Sequence, residues 1–389
     1  MIPRTLCADP FGLVIVDWSL LVRKAWHISG IDQVASIVLG RIWQLLADPM
    51  PASICIAVDP ERVDTETGVA VRRRTWRDKA TDHLPEPERY KAGRIAKPAD
   101  LVLIERRMMH IMAALKIPFL LPANAGDEQF FDADDAIGSA VKLARADGRS
   151  VAILSEDKDL FQCVTGADDF GSPVVRWWPW INHEQREKCE PEEHDEAAVL
   201  KKMSVYPSQI VDLLAIMGDS GDNVPGVEDV GHKTAAELLF AHGSLDAALL
   251  DIDRRKSVIA GLGGKQEPSS FGCDDCDAWP GSPCVNAKKE PLKKCHASRL
   301  AASKSEYAAR CWLTRAEKLL DEQRAQALAS RTLVQLWDEA PIRWDPQHQM
   351  TGGFDVAKLR KLLDSFGFSR MADTLPSFPK ASYQGREVA

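Results

Sequence analysis

No apolar run in this chain of 389 residues approaches the roughly 18 residues that a membrane-spanning helix needs. The N-terminal apolar run stops after about six residues at Asp17, too short for the core of a secretory signal. Cysteine is scarce and odd in number, nine in all; outside one tight cluster the scattered pattern fits a reducing cytosol better than a disulfide framework. Positive charge is in deficit, 49 Lys and Arg against 57 Asp and Glu for a net charge of −8, which taken alone argues against a nucleic-acid binder. There is no internal repeat, and no convincing Ser-His-Asp or Cys-His arrangement for nucleophilic catalysis. Hydrophobic residues make up 45% of the chain, too many for a disordered protein and enough for a real core, and the length suggests two or three domains.

The charge that is present is unevenly spread. From Arg72 to Arg107 there are eleven Lys and Arg against six Asp and Glu, and from Lys288 to Arg324 ten against five. Between them, Asp127 to Asp135 is a compact acidic cluster. An acidic pocket with basic flanks gives an acidic total and still binds a polyanion.

Short β-branched runs end at acids: Leu13 to Val16 reaches Asp17, Ser53 to Val58 reaches Asp59, and Ser150 to Ser155 leads to Asp157 and Asp159. Such runs read as buried parallel strands, with helical patterns between them at about residues 20–27, 34–46, 101–115 and 134–147. Asp100 is placed to cap the third of these. Further strands are expected at 117–121 and 174–178. This βαβαβ order predicts an α/β fold with a parallel sheet flanked by helices. Ligands in such sheets bind beyond the carboxyl ends of the strands, so the acids converge on one edge, where gathered carboxylates call for cations. Asp132, Asp134 and Asp135 open a helix, and plain capping is the alternative reading for them. A second acidic pair, Asp219 and Asp222, sits in a turn rich in glycine with Pro225.

The blocks from Leu154 to Leu160, from Asp132 to Asp135 and from Gly218 to Gly226 together resemble the signature of the 5′ nuclease family: flap endonucleases, standalone 5′–3′ exonucleases and the 5′ nuclease domain of bacterial DNA polymerase I. The similarity runs from about Leu13 to about Leu250. The resemblance implies a PIN-like core followed by a helical helix-three-turn-helix domain. It implies Asp17, Asp59, Asp132, Asp134, Asp135 and Asp157 near a first Mg²⁺ or Mn²⁺, and Asp159, Asp219 and Asp222 near a second. The family commonly carries Glu where Asp132 stands. Two such ions, roughly 3.5–4 Å apart, clamp the attacking and leaving oxygens of a phosphodiester.

Residues 60–98 lose periodicity and read as an excursion above the sheet. Within it, Tyr90, Lys91 and Arg94 resemble the motif at the base of the family's helical arch. That resemblance makes Lys91 and Arg94 catalytic or substrate-positioning and stacks Tyr90 on a terminal base. Arg72, Arg73, Arg74 and Arg77 are further phosphate candidates; a solvated basic loop is the alternative. The turn containing Gly226, Gly231, Lys233 and Thr234 resembles the family's duplex-gripping hairpin, whose backbone amides attract phosphate. The family also often holds a K⁺ there, although Asp229 stands where it usually has glycine. An ordinary αα-hairpin is the alternative.

Cys273, Cys276, Cys284 and His296 have zinc-ligand spacing, with Cys295 as an alternative to His296. They lie in an insert that resembles a small zinc module of phage and actinobacterial proteins. Such a piece is too small to hold a core unaided, and Lys288, Lys289, Lys293, Lys294 and Arg299 make it basic. A reduced, metal-free loop is the alternative.

The domains expected are a nuclease core at 1–204, the helical DNA-binding region at 205–260, the zinc insert at 261–304, C-terminal helices at 305–375 and a disordered tail at 376–389. The function expected is a two-metal 5′–3′ exonuclease and flap endonuclease. It would be a monomer acting on DNA 5′ ends, flaps and duplex junctions in the cytoplasm of a bacterial or phage-infected cell, with no membrane partner. The rivals are a non-catalytic junction binder on the same fold and a ribonuclease that removes RNA primers.

Overall fold

The computed structural model of the protein describes residues 12–46, 53–63, 70–121, 130–167, 171–179, 193–261, 275–277, 282–286, 288–292, 294, 296, 313–344 and 354–375. Two units are distinguished. The first comprises Met1–Val211, Ser220–Val224 and Leu333–Ala389; the second comprises Asp212–Asp219 and Pro225–Thr332.

In chain order the strands are β1 (Leu13–Asp17), β2 (Ile54–Ala57), β3 (Glu61–Val63), β4 (Ala70–Arg72), β5 (Phe119–Leu120), β6 (Val151–Ser155) and β7 (Val175–Pro179). Five of them form one sheet of order β5-β2-β1-β6-β7, parallel at every pairing. Counting only these five in chain order, the sheet reads 3-2-1-4-5, and the winding reverses between β1 and β6. A crevice opens at that reversal, at the carboxyl ends of the strands. The chain delivers Asp17 to it at the end of β1, and Asp157 lies two residues past β6.

Every residue of β1, β2 and β6 is buried, so both sheet faces need cover. Val14, Val16, Ile54, Ile56, Ala152 and Leu154 face one layer with α1 (Trp18–Ser29), α2 (Val34–Leu46) and the helix Ala99–Ala114. Leu359 and Leu363 of the helix Val356–Ser365 complete that layer, so the chain after Leu333 returns to the first unit. The stretch 305–375, read from the sequence as one set of C-terminal helices, therefore divides at Leu333.

The basic excursion holds the antiparallel β3–β4 pair and the short helix α3 (Trp76–Ala80). No long arch helix occurs among its described residues, as its prolines disfavour one. Next come α4 (Ala99–Ala114), α5 (Ala133–Ala146) and α6 (Glu196–Met203). Asp100 does not cap α4. Pro98 takes that position and Asp100 lies in the first turn, where its charge still complements the dipole. Helix α5 packs on β1, β2 and β6 and covers the other sheet face.

The second unit is helical, with α7 (Ile210–Met217, from Asp212 on), α8 (His232–His242), α9 (Leu245–Gly261), α10 (Arg315–Glu322) and α11 (Arg324–Val334, to Thr332). Between α7 and α8 the turn is tight. Gly226 has φ +66° and a Cβ there would strike the Gly218 backbone, so only glycine fits. Among the described residues no helix is long and apolar enough to cross a membrane.

Candidate metal centre

The crevice at the sheet reversal is a cavity of about 310 Å³ lined by Asp17, Asp59, Asp134 and Asp157, with Leu20, Arg23, His27 and Arg94 among its other walls. Asp17 leaves β1 and caps α1, accepting from the Leu20 amide at 3.2 Å and from the Ser155 hydroxyl at 2.7 Å. Asp59 accepts from the Ala133 amide at 3.1 Å, so the end of β2 is tied to the start of α5. Asp157 accepts from the Asp159 amide at 2.9 Å in the turn after β6.

Burial raises the Asp17 carboxyl to about 7, and the neighbouring charges of Asp157 and Asp59 add to the rise against the hydrogen bonds from Ser155 and Leu20. Burial also pushes Asp134 well up, with Lys91 opposing and Asp157, Asp17 and Asp59 reinforcing. Asp17 and Asp134, each raised in part by neighbouring carboxylates, belong to a donor set short of positive charge. Their oxygens are not drawn into a closed cage. Among the described residues, the groups whose ligand atoms lie within 4.8 Å of one another are Cys276, Cys284 and His296, and His242, Asp251 and Glu317. The looser spacing suits hard cations that keep several waters, as Mg²⁺ does.

Three of the expected ligands have a different place. Asp132 is fully buried and is approached by Lys91 Nζ at 3.2 Å, the Tyr90 hydroxyl at 3.3 Å and Arg77 at 3.4 Å. Asp135 is fully buried and paired through both oxygens with Arg77, at 2.7 and 2.8 Å. Asp222 accepts from Arg94 at 2.7 Å and from the Tyr90 hydroxyl at 2.9 Å, with Lys91 Nζ at 3.3 Å. Burial raises the Asp222 carboxyl, but Lys91 and Arg94 outweigh it and hold it at about 2. Asp159 is buried in the turn after Asp157. Asp219 is buried in the second unit.

The basic candidates also separate. Arg94 is partly exposed and lines the cavity. Lys91 is buried beneath it, among Asp132, Asp222 and, at 3.8 Å, Asp134. Its backbone is left-handed, φ +55°, and its amide donates to the Asp222 carbonyl. Asn223, also left-handed, donates to the carbonyls of Pro87 and Arg89. Strained residues that meet at a site mark a conformation imposed by its surroundings. Tyr90 is 4% exposed, so the expected stacking on a terminal base does not fit its position. Arg77 is 2% exposed, which removes it from the phosphate candidates. Arg73 lies over the Phe130 ring and Arg74 pairs with Asp82 on the surface. Arg72 belongs to β4, and its side chain is outside what the structure describes.

In the hairpin, Gly231 caps α8 without a side-chain hydrogen bond, Lys233 is exposed and Thr234 half-buried. Asp229 has φ +63°, the conformation that favours glycine. In the insert, Cys284 is buried while Cys276 and His296 are half-buried. Cys273, Cys295, Lys293, Arg299 and the tail 376–389 lie outside the described residues. Of the ionisable residues lining the cavity, Arg23 and His27 were missed from the sequence. Their helical spacing with Leu20, just after Asp17, is the signal that could have found them.

A parallel sheet with acids at its switch point, followed by a helical hairpin unit, defines a nuclease-like class of α/β protein. The N-terminal resolvase-like domain of the 5′-3′ exonucleases matches residues 13–203, and their C-terminal SAM fold matches residues 205–267. This chain belongs to the 5′-3′ exonuclease family. Among its relatives, DNA polymerase I of Rhizobium leguminosarum is 30% identical over 269 residues, 64% of this chain and 23% of that polymerase. DNA polymerase I of Bacillus caldotenax is 32% identical over 169 residues, 43% of this chain and 17% of that one. The chain thus spans about a quarter or less of these relatives. The fold also resembles that of the bacteriophage T5 5′-exonuclease with bound divalent metal ions (zinc), with TM-score 0.50, 17% identity, and coverage of 93% of this chain and 98% of that one. A T5 flap endonuclease variant in a pseudo-enzyme–product complex with DNA and metal ions superposes with TM-score 0.50 at 17% identity, covering 93% of this chain and 99% of the other.

Proposed function

We propose that this protein hydrolyses DNA phosphodiester bonds at 5′ ends and flap junctions with two divalent ions, Mg²⁺ or Mn²⁺, leaving 5′-phosphate and 3′-hydroxyl products. The observation that carries the reading is the cavity at the β1/β6 reversal, walled by Asp17, Asp59, Asp134 and Asp157. Bound ions supply an acidified water and take up the charge on the leaving oxygen. Asp17, Asp59, Asp134 and Asp157 would hold the first ion, and Asp159, in the turn after β6, would serve the second. Arg94, at the cavity wall, meets the scissile phosphate. Lys91 joins it when DNA draws its ammonium away from Asp132 and Asp222. Those two carboxylates keep the cations parked and charged until then; burial lowers the Lys91 ammonium, but Asp132 and its neighbours raise it well above its ordinary value. Arg73 and Arg74 contact phosphates further out.

In the second unit, Gly226, Gly231, Lys233 and Thr234 grip the duplex backbone, with K⁺ on turn carbonyls. Cys276, Cys284 and His296, with Cys273 as fourth ligand, hold a structural Zn²⁺. Their mutual spacing, within 4.8 Å, accommodates the edges of a zinc tetrahedron, roughly 3.5–4 Å. The exposed Lys288, Lys289 and Lys294 then add a second grip on DNA. The protein acts as a monomer in the cytoplasm.

The test is cleavage of a 5′-labelled DNA flap, a DNA duplex and an RNA–DNA hybrid, each with Mg²⁺ and with EDTA. Mg²⁺-dependent cutting of flap and duplex is expected. Binding without cutting would instead establish a junction binder, and cutting of the hybrid alone a ribonuclease.

A further inference from the structure

The Arg77–Asp135 contact uses up both partners. Asp135 accepts from Arg77 Nη1 and Nη2, from Trp76 Nε1 at 3.0 Å, from the Trp337 amide at 2.9 Å and from the Asp132 amide at 3.2 Å. A carboxylate offers about four lone-pair sites, and five donors leave none for an ion. The Arg77 guanidinium is equally spent. Nε donates to the Leu333 carbonyl at 2.7 Å, Nη2 to the Gln335 carbonyl at 2.8 Å, and the remaining donors go to Asp135 and Asp132. All five N–H groups of the guanidinium have acceptors, so none is left for a phosphate. The Trp76 ring closes over the group, 4.5 Å from its centre.

What the pair holds is informative. Asp135 fastens the first turn of α5, the turn that presents Asp134 to the cavity and whose Ala133 amide meets Asp59. Arg77 fastens that turn to the returning segment Leu333–Ala340. The same segment is bound further along α5, where the Ala340 amide donates to the Ser139 hydroxyl, and that hydroxyl's one proton is shared between the Asp135 carbonyl at 2.8 Å and the Trp337 carbonyl at 3.1 Å. It also reaches the turn of Asp159. Gln162 donates to the carbonyls of Val334 and Asp159 and accepts from the Leu336 amide.

We infer that Arg77 and Asp135 are a positioning pair for the proposed metal centre, touching neither ion nor DNA, and that the segment Leu333–Ala340 is the strap through which they set the angle of Asp134. This rests on the proposed nuclease reading. Its test compares Asp135→Asn, the double variant Arg77→Gln with Asp135→Asn, and Asp134→Asn by Mn²⁺ titration, DNA binding in Ca²⁺, and turnover. Asp135→Asn leaves a charged Arg77 buried, and turnover should fall on the order of a hundredfold, as for a lost supporting residue. The double variant should recover at least about tenfold of that loss and bind Mn²⁺ within about threefold of the parent, whereas Asp134→Asn should weaken Mn²⁺ by about tenfold or more. A double variant no better than Asp135→Asn, with Mn²⁺ affinity lost as in Asp134→Asn, would make Asp135 a ligand and overturn the inference. If Asp134→Asn itself left Mn²⁺ affinity and cutting intact, the metal centre would be misplaced instead. A further arm needs no variant: anomalous scattering from the parent protein with Mn²⁺. A Mn²⁺ peak at ligating distance from Asp135, with Arg77 released, would likewise overturn the pairing, and a peak among Asp17, Asp59 and Asp134 would support it.

Discussion

Two sets of aspartates lie within one unit and behave in opposite ways. Asp17, Asp59, Asp134 and Asp157 wall a cavity and face one another. Asp132, Asp135 and Asp222 face Arg77, Lys91 and Arg94. In the first set burial and mutual repulsion raise Asp17 and Asp134. In the second, neighbouring cations overcome burial and depress Asp222. The difference teaches that an acidic motif is a mixture of ligand and scaffold, and that the nearest cation sorts one from the other.

The comparison breaks most sharply at the cavity. Changing Asp157→Ala together with Asp159→Ala should lower single-turnover cleavage by roughly a thousandfold or more while DNA affinity in Ca²⁺ changes little, because the ions and not the binding surface are lost. Unchanged turnover would reject the assigned centre.

On the paired side the expected loss is stability. Arg77→Ala strands the fully buried Asp135 and should cost about 3–5 kcal/mol in urea unfolding, as broken buried pairs do. A cost under about 1 kcal/mol, the range of surface pairs, would show that the pair is not the buried scaffold described.

Protons sharpen the same contrast. Between the ordinary Asp value of 3.8 and about 7 the folded chain keeps a proton on Asp17 that the unfolded chain has released. Stability without metal should therefore fall as pH rises through that window, and saturating Mg²⁺ should flatten the slope by displacing the proton. Asp222 has the reverse sign: its contribution is present above 3.8 and disappears as pH falls toward about 2. Urea midpoints in EDTA and in Mg²⁺ across pH check both, and a slope in EDTA that Asp17→Asn fails to reduce would count against the first.

Smaller effects belong to the second unit. Stripping zinc should weaken DNA affinity severalfold and leave the rate at saturating DNA nearly unchanged, since the insert is proposed to hold DNA and not to catalyse; an equal loss of kcat would contradict this. Lys233→Ala should weaken binding to all sequences alike and reduce the salt slope by about one.

Much of this could be read from the residues. The alternation of buried strands and helices is written in runs such as Leu13–Val16, and the acids past those runs marked the crevice. Less of the site was legible. Nothing local distinguishes Asp134 from Asp135, adjacent in one first turn, nor Arg77 from Arg74, three residues apart. Their partners are distant in the chain: Trp337, Leu333 and Gln335 lie roughly two hundred residues beyond α5, and spacing rules that work at one helical turn do not reach that far.

Sequence alone determined the sheet, the family and the carboxyl-edge location of the acids, because short-range periodicity and side-chain apolarity suffice for these. Only the tertiary structure decided which carboxylates stay open to a cation and which are neutralised from within. That choice depends on where arginine and lysine side chains end up after the chain has closed on itself, since ionic interactions are settled by separation in space and by exclusion of water.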